Sequence, residues 1–141
     1  NDDQTINRKK LGQLVFSNKS ALNRLNQLTH PLIFDKTIQK ITSYQNEDMV
    51  ILDAPVYFES GLDKKHIANS VLVITLPESI QIERLKQRNN LTDKEARMRI
   101  NSQMPLSKKT QLADFVIENT GTIKELESKL EQLLNKIKKE G

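Results

Sequence analysis

Three apolar runs without polar alternation do most to constrain how this chain can fold. They occupy residues 50–53, 70–76 and 114–118. A continuous run of Val, Ile and Leu predicts a strand that is buried on both faces, as in a parallel sheet. Pro55 and Pro77 should end the first two strands, because proline cannot donate a hydrogen bond to a neighbouring strand. The segments between the runs are too long for hairpins, so the sequence predicts an α/β fold with a parallel sheet between layers of helices.

Helical spacing of apolar residues predicts three helices before the run at 50–53. Asn18 or Ser17 should cap the second helix, and Pro31 should break the chain into a third, because the residue before a proline avoids the α region. That third helix is predicted to reach residue 45.

The second half contains clearer helix boundaries. Pro77 and Glu78 should open a helix that Asn89 and Asn90 stop, and Thr92 with Glu95 forms a capping box for the next one. A short helix is predicted over residues 106–112. Thr122 or Thr120 should cap a long amphipathic helix at the end of the chain.

Composition narrows the class of protein. The chain has 141 residues, enough for one domain with a core, and its net charge is +4. The lysines are spread along the chain without interleaved aromatic residues, so the excess charge does not by itself predict nucleic-acid binding. There is no cysteine and no apolar run near the roughly 20 residues of a membrane helix. We therefore predict a cytoplasmic protein that binds neither membrane nor nucleic acid.

Two kinds of charged side chain could carry chemistry. Asp53 and Glu59 flank the predicted end of the first strand, where carboxylates could contact a substrate hydroxyl or a hydrated cation. The alternatives are a backbone cap for Asp53 and a solvated loop for Glu59. Arg84 and Arg88 lie four residues apart on one helical face, a spacing at which guanidinium groups could share an anion. The alternative is plain surface arginine.

The remaining candidates carry weaker signals. His30 stands beside apolar helices, where a lone histidine is more often structural than catalytic. The turn at residues 119–121 follows a predicted strand and leads into a helix, so that it could hold a purine edge. Its alternative interpretation is a simple turn with a residue of positive φ. No spacing of His, Asp and Glu predicts a metal site.

Taken in order, these segments resemble the dephospho-CoA kinase family. No single segment is specific, but the ordered set is, and it runs from about Ile6 to the final helix. The matching residues are 7–12, 15–16, 30–33, 52–55, 58–62, 81–85 with Arg88, 103–106 with Lys109, and 113–121.

The resemblance implies a three-layer parallel sheet of the P-loop kinase type. Residues 1–46 would form a helical region for the CoA substrate, residues 47–83 and 113–141 the core, and residues 84–112 a helical lid. The implied reaction transfers the γ-phosphoryl group of ATP to the ribose 3′-hydroxyl of dephospho-CoA with Mg²⁺.

The resemblance also implies roles for individual residues. Arg88 matches the lid arginine at the phosphates, and Arg84 is its neighbour on the same helical face. Asn119 and Gly121 match the adenine side of the ATP site. The residues implied to face dephospho-CoA are Asp53, Phe58, Glu59, His30 and Arg8.

The sequence departs from the family pattern in three ways. The glycine-rich phosphate loop and the general-base aspartate that follows the family's next strand do not occur in these 141 residues. Asn7 stands where the family usually has aspartate. We therefore expect the chain to represent the carboxyl-terminal two-thirds of such an enzyme, and these residues alone not to catalyse.

Two alternatives stay open from the sequence. Another P-loop kinase, acting on a nucleoside or nucleotide, would share the arginines and the turn at 119–121. A basic helical module that binds nucleic acid or a partner protein would explain the charge, and steep salt dependence of binding would identify it.

Overall fold

A computed structural model describes residues 5–140, apart from the side chains of Phe16 and Glu140. Residues 1–4 of the predicted helical region, the Phe16 side chain of the matching segment 15–16 and residue 141 of the predicted core lie outside the described part. The chain forms two compact units that divide after Ile67.

The first unit begins with two helices, α1 at Arg8–Ser17 and α2 at Lys19–Thr42. Asn7 caps α1, since its Oδ1 accepts a hydrogen bond of 3.0 Å from the backbone N–H of Lys10. Asn18 caps α2 as predicted, with Oδ1 accepting from two backbone N–H groups of the first turn at 3.0 and 3.1 Å. An asparagine and an aspartate cap helices about equally well. Asn7 therefore keeps the local function that aspartate would have before Arg8.

The predicted break at Pro31 is wrong, because α2 continues through it. A proline inside a helix removes one backbone hydrogen bond and crowds the carbonyl four residues earlier. Pro31 and Gln27, which carries that carbonyl, both lie on the exposed side of α2. Water can therefore reach the carbonyl that loses its usual partner, and a single helix replaces the two that were predicted.

The predicted strand at residues 50–53 is also wrong. These residues form no strand in the structure, and the Ile51 side chain is 74% exposed. Residues 50–52 instead line a groove of about 560 Å³ along the second half of α2. An apolar run becomes a strand only where a neighbouring strand accepts its backbone hydrogen bonds, and the described residues supply no such neighbour here.

A glycine-terminated turn follows at residues 57–62. The N–H of Leu62 donates to the Tyr57 carbonyl at 3.1 Å, and the N–H of Gly61 donates to the Phe58 carbonyl at 3.1 Å. These two bonds form a Schellman motif, in which the residue at the Gly61 position adopts a left-handed conformation. Gly61 has φ of 75°, which explains the glycine. A short 3₁₀ helix, Asp63–Lys65, comes next.

The second unit contains two parallel strands joined by three helices, and a fourth helix follows the second strand. Strand β1 at Leu72–Thr75 is parallel to β2 at Phe115–Glu118, and Val73 pairs with Val116. The helices of this unit are α3 at Glu78–Asn89, α4 at Asp93–Asn101, α5 at Leu106–Leu112 and α6 at Ile123–Glu140. Both strands, their parallel pairing and these four helices confirm the sequence prediction for this half of the chain.

Both faces of the strand pair carry buried side chains. Val73 and Val116 share one face, where Val73 is buried and Val116 is exposed. Ile117 is buried on the other face, opposite the more exposed Ile74. Lys109 on α5 is only 6% exposed, a burial that its sequence position did not predict. Within residues 5–140, no helix is both long and apolar enough to cross a membrane.

Candidate functional site

The turn at residues 119–121 lies directly after β2 and is tied to β1. The backbone N–H of Asn119 donates to the Thr75 carbonyl at 2.8 Å, extending the strand pairing by one residue. The described backbone has positive φ at Gly61, His66 and Asn90, and none in this turn. The interpretation of the turn as one that needs a positive φ is therefore wrong, and Gly121 must have another reason.

That reason is space beside the start of α6. A Cβ atom on Gly121 would overlap the carboxylate of Glu125. The carboxylate cannot move aside without loss, because it accepts hydrogen bonds from the Thr122 N–H at 2.6 Å and the Thr122 hydroxyl at 3.0 Å. The Thr122 hydroxyl in turn accepts from the Glu125 N–H at 3.3 Å. Gly121 therefore leaves room for the capping box that Thr122 and Glu125 form. Only the threonine of this box was predicted from the sequence.

Arg84 reaches this turn from α3. Its Nη2 donates to the Gly121 carbonyl at 3.4 Å, a long hydrogen bond between residues 37 positions apart. The carboxyl ends of parallel strands meet at one edge of a sheet, and ligands of α/β proteins bind there. The structure therefore brings together Arg84, Asn119 and Gly121, three of the predicted site residues.

Arg88 lies one helical turn beyond Arg84, in the last turn of α3. Its Nε donates to Asn89 Oδ1 at 3.1 Å and its side chain is exposed. A guanidinium group has five N–H donors, so this bond leaves capacity for phosphate oxygens. Arg97 on α4 is engaged differently: it forms an ion pair with Asp93 of the same helix at 2.7 Å and one with Glu78 at 3.3 Å, and the second joins α4 to the start of α3.

Among the described carboxylates of this unit, three have lowered pKa values. Hydrogen bonds from the backbone N–H and the hydroxyl of Thr92 lower the pKa of Glu95 from its ordinary value near 4.5. The Thr122 groups lower the pKa of Glu125 from the same value. The hydrogen bond from Arg97 is the main cause of the lowered pKa of Asp93.

The lowered pKa values of Glu95 and Glu125 predict that the starts of α4 and α6 lose stability at acidic pH. A carboxylate whose pKa is lower in the folded state stabilises the fold above its unfolded pKa, and this contribution is lost as the pH falls through the folded value. We expect the melting temperature of wild type to exceed that of a Glu95→Gln, Glu125→Gln double variant above pH 4.5. The difference should shrink at lower pH. A difference that stays constant from neutral pH to pH 3 (roughly one unit below an ordinary Asp or Glu pKa) would contradict this assignment.

The first unit holds the other predicted site residues. Phe58 and Glu59 lie on the Schellman turn, where the ring of Phe58 meets the ring of Tyr57 edge-on at 5.5 Å. One carboxylate oxygen of Glu59 is buried. Asp53 is exposed and lies in the irregular segment before the turn, so it does not end a strand as predicted.

His30 and Arg8 lie on the helices of the same unit. His30 is half-buried within α2, and Arg8 is exposed at the first position of α1. Among the side chains that the structure describes, no group of three or more His, Asp or Glu could hold a metal ion.

The fold and the edge site together define a class of protein. Two parallel strands with helices between them define an α/β protein, and its turn and Arg84 lie at the strand-end edge where α/β proteins bind ligands.

Comparison with known proteins gives the family. The sequence profile of dephospho-CoA kinase matches residues 1–125. The dephospho-CoA kinase of Lactobacillus acidophilus is 81% identical over 141 residues, which cover 100% of this chain and 70% of that protein. The enzyme of Lactobacillus johnsonii is 50% identical over 139 residues, covering 97% and 69%.

Solved structures agree. A dephospho-CoA kinase from Campylobacter jejuni matches with a TM-score of 0.64 at 31% identity, over 96% of this chain and 67% of that one. A protein of Thermus thermophilus matches with a TM-score of 0.75 at 28% identity, over 92% and 66%. The chain belongs to the dephospho-CoA kinase family, ATP-dependent kinases that catalyse the final step of CoA biosynthesis.

Proposed function

We propose that the protein transfers the γ-phosphoryl group of ATP to the ribose 3′-hydroxyl of dephospho-CoA, with the nucleotide bound at the carboxyl edge of β1 and β2. The observation that carries this proposal is the hydrogen bond between Arg84 and the Gly121 carbonyl. It joins the helical face that carries Arg88 to the turn that the family resemblance assigns to ATP. The family match also favours this reaction over a nucleoside kinase or a basic binding module.

At the nucleotide side, Asn119 and Gly121 would contact the edge of the adenine ring. The bond from Asn119 N–H to Thr75 and the capping box at Thr122 hold the backbone of the turn before ligand binds. Such pre-organisation favours binding because less conformational entropy is lost. Arg88, one turn further along α3, would donate to oxygens of the transferring phosphoryl group as charge develops there.

At the substrate side, we assign dephospho-CoA contacts to the first unit. Phe58 and Glu59 are placed by a rigid glycine-terminated turn, which suits a contact surface and a hydrogen-bond acceptor for a hydroxyl. Asp53, His30 and Arg8 belong to the same proposal.

The remaining parts of the proposal concern architecture and conditions. Buried residues on both faces of the strand pair, Val73 and Ile117, support a three-layer P-loop fold, and residues 84–112 would act as its lid. The described side chains form no acidic cluster that fits Mg²⁺, so we assign no ligand of that ion to this chain. We propose a cytoplasmic location and small-molecule partners from the family's metabolic reaction.

The Michaelis constants of the intact enzyme for ATP and for dephospho-CoA test the nucleotide side and the substrate side separately. Gly121→Ala and Asn119→Ala should each raise KM for ATP about tenfold, the effect of losing one well-made hydrogen bond or its geometry. KM for dephospho-CoA should stay within about twofold, a difference of less than 0.5 kcal/mol. Asn135→Ala, an exposed asparagine on α6, is the matched control and should leave both constants unchanged.

Two results would overturn this assignment. If Gly121→Ala and Asn119→Ala leave KM for ATP unchanged, the turn does not bind the nucleotide. If they raise both Michaelis constants equally, the turn supports the fold rather than one ligand.

A further inference from the structure

At the carboxyl end of each strand of the second unit, a side chain of the following helix donates to a backbone carbonyl. After β1, the Gln81 side-chain amide on α3 donates to the Leu76 carbonyl at 3.0 Å. After β2, Lys129 Nζ on α6 donates to the Glu118 carbonyl at 2.8 Å. The second bond joins residues 11 positions apart and lies immediately before the turn that holds Asn119.

Lys129 also acts on the other end of the turn. Its ammonium group lies one helical turn from Glu125 and helps to lower the pKa of that carboxyl. The Glu125 carboxylate holds the Thr122 N–H at 2.6 Å and occupies the space beside Gly121. Lys129, exposed on α6, therefore contacts the backbone carbonyl that precedes the turn. It also favours the charged state of the Glu125 carboxylate, which holds the backbone that follows the turn.

We propose that Lys129 is a positioning residue for the nucleotide, because it sets the backbone of residues 118–122 without touching the ligand. This role of Lys129 rests on the proposed function of the turn. Its geometric basis is that the turn is held from three sides: by β1 through Asn119, by α3 through Arg84 and by α6 through Lys129. Removing the lysine releases the Glu118 carbonyl, whose orientation is coupled through one peptide plane to the N–H of Asn119.

The experiment compares three variants of the intact enzyme. Lys129→Met keeps the aliphatic length and removes the donor, Lys129→Arg restores a donor, and Lys138→Met removes a charge from the last turn of the same helix. We expect Lys129→Met to raise KM for ATP about three- to tenfold, the range of one hydrogen bond. In that variant kcat and KM for dephospho-CoA should remain within about twofold of wild type. Lys129→Arg should restore KM for ATP, and Lys138→Met should not change it.

The melting temperature of each variant separates positioning from a stability effect. A Lys129→Met enzyme that melts earlier but keeps its wild-type KM for ATP would overturn the proposal, as would an equal effect of Lys138→Met. The failure of the proposed function has a different signature: Gly121→Ala and Asn119→Ala would then leave KM for ATP unchanged. If those two variants raise KM while Lys129→Met does not, the nucleotide site stands and the role of Lys129 falls.

Discussion

Replacing Arg88 by methionine is expected to lower kcat by about two to three orders of magnitude, the loss seen when one donor to a developing negative charge is removed. Arg88 is exposed at the end of α3 and donates one of its N–H groups to Asn89 Oδ1, so the substitution removes no buried contact. The melting temperature should therefore stay close to that of wild type. The measurement is the single-turnover rate of phosphoryl transfer with both substrates saturating.

The control for this prediction is Arg99→Met. Arg99 is an exposed arginine on α4, so it matches Arg88 in side chain and exposure. Its loss should leave the rate unchanged. Arg88→Lys retains the charge but not the paired donors of a guanidinium group, so it should recover only part of the rate. A rate for Arg88→Met equal to that of Arg99→Met would show that Arg88 takes no part in the reaction.

The second unit could be predicted from its sequence because its boundaries are local. Pro77 opens α3, Asn90 ends it in a left-handed conformation, and Thr92 with Glu95 forms the capping box that starts α4. Each signal involves residues within about four positions of one another, so no distant partner is needed to interpret it.

The first unit could not be predicted to the same extent because its structure depends on distant partners. The run at 50–53 has the composition of a buried strand, yet strand formation requires hydrogen bonds from another segment. Pro31 would break a helix by its local geometry, yet α2 continues where the affected carbonyl faces water. In both cases the local sequence favours the predicted structure, but the neighbouring segment or the access of water decides which structure forms.

The candidate site shows the same division. The resemblance assigned Gly121 to the adenine side of the ATP site and placed Arg84 only beside Arg88, whereas the sheet edge explains how residues 37 positions apart meet. The reason for Gly121 could not be derived from the sequence, because it depends on where the Glu125 carboxylate lies. Lys129 gave no signal at all, since one more lysine on an exposed helix face looks like a solvated surface.

Strand β2, which leads into the turn, has one buried and one exposed face. Ile117 is 8% exposed on one face of β2, whereas its neighbour Val116 is 47% exposed on the other. Truncating a buried isoleucine loses both the transfer free energy of its methylene groups and the contacts around the cavity that remains. We expect Ile117→Ala to lower the free energy of unfolding by about 2–4 kcal/mol. Val116→Ala should lower it by at most about 1 kcal/mol.

Urea denaturation of each variant of the intact protein, analysed with a common m-value, gives its free energy of unfolding. The two residues are adjacent in one strand, so a difference between them reports burial rather than strand propensity or position along the chain. Equal destabilisation would mean that both faces of β2 are equally covered, which contradicts the burial seen here. Because β2 leads directly into Asn119 and Gly121, saturating ATP should recover part of the stability lost in Ile117→Ala, since a ligand that binds only the folded state stabilises it by mass action.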